Sequence, residues 1–93
     1  MDSRFDRVYF LKTKSGDLEK VKQLCEDYQI NDNGAFENAA DFHFAWGFGP
    51  NGIIYISPTT FLTHKPDFNS IEELETFLDK FIIKNNCNWR QKH

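Results

Sequence analysis

From Asp41 to Phe48 the chain alternates strictly, with Phe42, Phe44, Trp46 and Phe48 at one set of positions and Asp41, His43, Ala45 and Gly47 at the other. Successive side chains of a β-strand point to opposite faces, so this is the period of a strand half buried on its aromatic side. Gly49-Pro50-Asn51-Gly52 follows. Pro50 presets its own φ for a turn, and Gly52 suits a left-handed position closing a bulged hairpin. Ile53 to Ser57 then returns as a second strand. Setting Gly49 opposite Ile53 places Phe48 opposite Ile54 and Trp46 opposite Ile56. The expected core face is therefore Phe42, Phe44, Trp46, Phe48, Ile54 and Ile56. His43, Ala45, Tyr55 and Ser57 fall on the other face. Pro58 ends or bulges the strand, and Thr59 to Leu62 is expected to resume it.

Two helices and one earlier strand complete the pattern. Arg7 to Thr13 is apolar on both faces, as an interior strand would be. Leu18, Val21, Leu24, Cys25 and Tyr28 recur at helical spacing, with Ser15 or Asp17 as the cap. Ser70-Ile71-Glu72-Glu73 reads as a capping box that opens a helix to about Lys84. Its apolar face is Ile71, Leu74, Phe77, Leu78, Phe81 and Ile82. Gln29 to Ala40 is a polar loop broken by Asn31-Asp32-Asn33-Gly34. Thr63 to Asp67 is a turn. The order is β-α-β-β-α, with a weak final strand near Trp89. The expected fold class is thus α+β: a ferredoxin-like split βαβ unit with its last strand missing or frayed. Both helices would lie on one face of a small antiparallel sheet, and the first and third strands would be central. Val8-Tyr9-Phe10-Leu11-Lys12, the charged helix after it and the helix from Ser70 resemble the small α+β domains of dimeric ferredoxin-like monooxygenases. That resemblance implies a dimer through the open sheet face and chemistry without a cofactor.

The 93 residues are expected to form a single domain, with residues 85–93 as a basic C-terminal tail. Apolar residues make up 40% of the chain and charged residues 27%, too apolar a balance for a disordered chain. Ten Phe, three Tyr and two Trp supply a core without disulfide or metal. Cys25 lies on the helical apolar stripe as a small hydrophobe, and Cys87 reads as a free thiol. Two distant cysteines point to a reducing compartment. The charged N-terminus has no apolar stretch of the signal-peptide kind, and no apolar run approaches the ~20 residues of a membrane span. A cytoplasmic protein with no membrane association is the expectation.

Charge is distributed unevenly. Net charge is −3, yet no Lys or Arg occurs between Gln23 and His64. That stretch carries Glu26, Asp27, Asp32, Glu37 and Asp41. The first twenty-two residues hold six basic and four acidic groups, and Lys80 to His93 holds four basic groups and no acidic side chain. An acidic surface without intervening cations speeds association with a basic partner. Glu26, Asp27, Asp32, Glu37 and Asp41 are therefore the candidate partner-binding residues, with Phe36 as an aromatic anchor.

Competing chemistry finds less support. Gly47-Phe48-Gly49-Pro50-Asn51-Gly52 matches G-x-G-x-x-G, but the next residues continue as a strand, whereas a dinucleotide site needs a helix there. His43, His64 and His93 lack metal-ligand spacing and neither cysteine belongs to a C-x-x-C motif, so no metal or cofactor is expected. His43 and Tyr55 would share the open sheet face and form an alternative ligand or acid–base site. The aromatic row resembles a base-stacking platform, but the absence of cations around it argues against direct nucleic-acid binding. The expectation is a small acidic protein-binding module, an inhibitor of the immunity, antitoxin or phage anti-defence kind. A ligand-binding domain or cofactor-free enzyme is the alternative.

Overall fold

A computed structural model of the protein describes residues 2–85. The expected last strand near Trp89 and most of the basic tail, with Cys87 and His93, lie outside the described residues. Three strands and two helices follow the β-α-β-β-α order: β1 (Tyr9–Lys12), α1 (Leu18–Asp27), β2 (Ala45–Gly49), β3 (Gly52–Tyr55) and α2 (Ile71–Asn85). The expected α+β class is observed.

Helix α1 buries Leu18, Val21, Leu24 and Cys25, the stripe that its spacing defines. Asp17 is the N-cap residue but makes no side-chain capping bond; its carboxylate instead accepts the amide of Lys14 at 3.1 Å. The far end closes with Gln29 in left-handed backbone at φ 55°. Ile30 N donates to Cys25 O at 2.8 Å and Gln29 N to Glu26 O at 3.3 Å. That pair of bonds is a Schellman cap, which satisfies carbonyls the helix leaves open and turns Ile30 back into the core. Helix α2 starts on a variant of its capping box, the returning carboxylate meeting the amide one residue before Ser70. Ser70 Oγ accepts from Glu73 N at 3.2 Å, while the Glu73 carboxylate accepts from Asn69 N at 3.2 Å. Its buried residues Ile71, Leu74 and Leu78 meet α1, Leu11, Trp46, Phe48 and Ile53 in one cluster. Tyr28 ties the helices together, its hydroxyl donating to Asp79 at 2.6 Å. Phe5 is also buried, stacked on Phe77 with ring centroids 5.8 Å apart.

Sheet placement departs from expectation. Among the described residues the strand order is β1-β2-β3, antiparallel throughout, so β2 lies between the other two, and β1 and β3, expected to be central, stand at its two sides. The apolar outer face of β1 is explained by local packing: Phe10 lies against Phe61 and His64. The expected continuation of β3 through Thr59 to Leu62 is instead a 3-10 helix over Pro58–Leu62, with Ser57 as its N-cap.

The hairpin register is shifted by one residue. Gly49 pairs with Gly52, Phe48 with Ile53 and Trp46 with Tyr55. Gly52 enters the ladder at φ +114° instead of standing in the turn, which leaves only Pro50 and Asn51 between the strands. Because side chains alternate with period two, one residue of shift exchanges the faces. Tyr55 and Ile53 join the Trp46–Phe48 side, and Ile54 moves to the outer face, where it is exposed. The aromatic row divides as well. Trp46 and Phe48 are fully buried, Phe44 is half-buried, and Phe42 is 71% exposed. The strand begins only at Ala45, because residues just before it bend into a turn closed by His43 N on Ala40 O at 3.0 Å.

Both outer strands among the described residues carry local covers. Along β1, Phe68 forms a parallel bridge to Leu11, and the Asp67 carboxylate accepts the amide of Phe10 at 2.8 Å while pairing with Arg7 at 2.9 Å. Along β3, Ile53 N donates to Asn31 O at 2.9 Å, and Asn33 Nδ2 donates to the carbonyls of Asn51 and Ile53 at 2.8 and 3.1 Å. These contacts satisfy backbone groups that an open edge would offer to another chain. They also fix the segment after α1 in place.

Candidate protein-binding site

The anchored segment after α1 forms one wall of a groove of about 360 Å³, and α1 forms the other. Lys22, Cys25 and Glu26 come from successive turns of α1; Ile30, Asp32 and Phe36 come from the segment that follows. The Schellman cap sets where this second wall begins. Asp32 is held by its own turn, Oδ1 accepting Gly34 N at 3.1 Å and the backbone carbonyl accepting Ala35 N at 2.7 Å. That Asx-type turn brings Phe36 inward to pack against Trp46, ring centroids 5.4 Å apart. Phe36 remains half-buried, with the rest of its surface on the groove.

The groove thus has apolar walls and carboxylates at its rim. Cys25 lies at its base, where burial, with Asp32 nearby, pushes the thiol pKa up to about 12. Such a thiol stays protonated and is a poor nucleophile. The ion pairs found among the described residues use Asp2, Asp67, Asp17 and Glu19. No ion pair among the described residues involves Glu26, Asp32, Glu37 or Asp41, so the negative charge of the segment is not offset there.

Three of the six residues singled out from sequence, Glu26, Asp32 and Phe36, come together in the groove. The others do not line it. Asp27, on α1, accepts from Gln23 at 2.8 Å. The Glu37 carboxylate lies over Gly34. Asp41 is displaced furthest, its carbonyl bonded to Gly16 N just ahead of α1, at the opposite end of that helix. Ile30, Lys22 and Cys25 were not foreseen as groove residues. The i, i+3, i+4 spacing of Lys22, Cys25 and Glu26 was a usable signal, since such positions share one helix face.

His43 and Tyr55 do meet, but not on an open face. His43 is only 4% exposed, and its ring lies parallel to that of Tyr55, centroids 3.8 Å apart and 12° between planes. Trp46 closes edge-on against both rings. The Nε2 of His43 is hydrogen-bonded to the carbonyl of Ala45. Burial lowers the imidazole pKa, against the opposing pull of the Ala45 and Ile56 backbone carbonyls. The two rings are in stacking contact, one His43 ring nitrogen is committed to backbone, and no hydrogen bond among the described residues joins the two side chains.

Among the described residues no group of His, Cys, Asp or Glu is arranged to hold a metal ion, and no helix is long and apolar enough to cross a membrane. No known protein family, curated protein or solved structure matches the chain.

Proposed function

We propose that the chain is a small acidic binding module that engages a basic surface on a partner protein and acts as an inhibitor of that partner. The observation carrying this reading is the groove beside α1, where Glu26 and Asp32 border an apolar floor and no ion pair among the described residues meets either carboxylate. An apolar centre rimmed by charge is the composition of a protein-recognition patch, the rings supplying affinity and the rim supplying encounter rate. A basic partner of the nucleic-acid-binding class fits this field, and covering its cationic surface would block its own substrate.

Affinity capture from nuclease-treated extract at low and high salt, with mass spectrometry of the bound proteins, tests the reading. The wild type is expected to retain a basic protein at low salt only, and adding the module to that protein is expected to reduce its nucleic-acid binding. A variant with Lys at positions 26, 27, 32 and 37 is expected to lose the capture. Equal capture by both forms would remove the acidic-surface reading.

A further inference from the structure

The groove has a composition that separates one cation from another. We propose that it receives the guanidinium side chain of an arginine presented by the basic partner, in preference to a lysine. The inference rests on the binding-module reading and names the chemistry of its central contact.

The two carboxylates come from different elements, Glu26 from α1 and Asp32 from the turn, and both are exposed. Asp32 already spends Oδ1 on the amide of Gly34, which holds the side chain in one orientation. A planar fork of five donors is built to bond more than one carboxylate, whereas an ammonium is a compact point charge. Phe36 supplies the second discriminating feature. Its ring is held on one side by Trp46 and lines the groove on the other, and Ile30 continues the apolar wall. Guanidinium is weakly hydrated and stacks on an aromatic ring, whereas a lysine head would have to surrender tightly held water.

Size and charge are compatible with this occupant. A volume of about 360 Å³ leaves room for an arginine side chain. Lys22 stands on the rim, but its ammonium is engaged by Glu19 on the helix surface at 3.2 Å.

The test uses the full chain with acetylated, amidated hexa-arginine and hexa-lysine peptides, followed by amide chemical shifts in an isotope-labelled sample. Hexa-arginine is expected to shift Glu26, Ile30, Asp32 and Phe36 and to bind roughly fivefold tighter than hexa-lysine, the equivalent of about 1 kcal/mol of cation–π contact. Glu26→Gln with Asp32→Asn, both at exposed positions, is expected to weaken the arginine peptide by roughly three- to tenfold. Phe36→Leu is expected to bring the ratio of hexa-arginine to hexa-lysine affinity down toward one. Equal affinity for the two peptides, or shifts confined to other surfaces, would overturn the assignment. So would arginine binding that emerges only after Arg90→Gln and Lys92→Gln, since the occupant would then be the chain's own basic segment. These failures leave the broader reading standing if a basic protein is still captured; failure of capture itself removes that reading instead.

Discussion

The carbonyl oxygen of Asn31 fills the position that a Cβ at Gly52 would take. The same oxygen accepts the amide of Ile53 at 2.9 Å, so the chain leaving α1 lies directly on the hairpin. Gly52 has φ +114°, a conformation costly for any other residue. Gly52→Ala is therefore expected to lose about 2–3 kcal/mol of stability, strain and collision acting together. Gly16 is a control: it also has positive φ, at 92°, but nothing lies within 4 Å of the point a Cβ would occupy there. Gly16→Ala is expected to cost about 1 kcal/mol. Urea midpoints measure both, and equal losses would mean that the Asn31 contact contributes nothing.

Gln29 holds the left-handed position of the Schellman cap, at φ 55°, where glycine is the usual residue. Gln29→Gly relieves that strain at some cost in unfolded-chain entropy, and the net expectation is a gain of about 0.5–1 kcal/mol. Thermal or urea unfolding reads it directly. A loss of stability would indicate that the Gln29 side chain makes a contribution larger than the strain.

His43 sets a pH window. Burial lowers its folded pKa below the ordinary value of about 6.5, so the native state prefers the neutral ring more strongly than the unfolded chain does. Stability is then fully present above that ordinary value and declines as pH falls from it toward the lowered one. Asp67 acts in a separate, more acidic range. Burial tends to raise its pKa, but the bonds from Arg7 and the Phe10 amide outweigh this and the net shift is downward. Its contribution is present above the ordinary carboxylate range and is lost at lower pH. His43→Gln is expected to flatten the upper decline and leave the acid limb in place. Unfolding curves from about pH 4 to about pH 8, which bracket the ordinary imidazole value and reach the carboxylate range, test this. An unchanged upper limb would disprove the role of His43.

Cys25 is buried and its thiol pKa is pushed up to about 12. In a Cys87→Ser background, native protein is expected to react with N-ethylmaleimide only as fast as Cys25 becomes accessible through opening of the fold. Urea should accelerate labelling in step with unfolding. Native labelling at the rate of a free cysteine would contradict the buried placement.

Much of the candidate site was visible residue by residue but not as a site. The absence of Lys and Arg between Gln23 and His64 picked out the acidic residues, because charge is a property of composition. It could not tell that Asp41 would lie at one end of α1 and Asp32 at the other, since that depends on how the chain after α1 is anchored to Asn51 and Ile53. Phe36 was foreseen as an anchor, while Ile30 enters the groove only through the reversal of the chain at Gln29.

By itself the sequence determined both helices, their apolar faces, the Ser70 cap and the existence of a hairpin around Pro50, because each rests on contacts between residues a few positions apart. Tertiary structure alone decided that β2 lies between β1 and β3, that Tyr55 rather than Ile54 shares the face of Trp46, and that His43 is buried while Phe42 is exposed. These outcomes turn on pairing between distant segments, and a shift of one residue in that pairing reverses every face while leaving the local pattern unchanged.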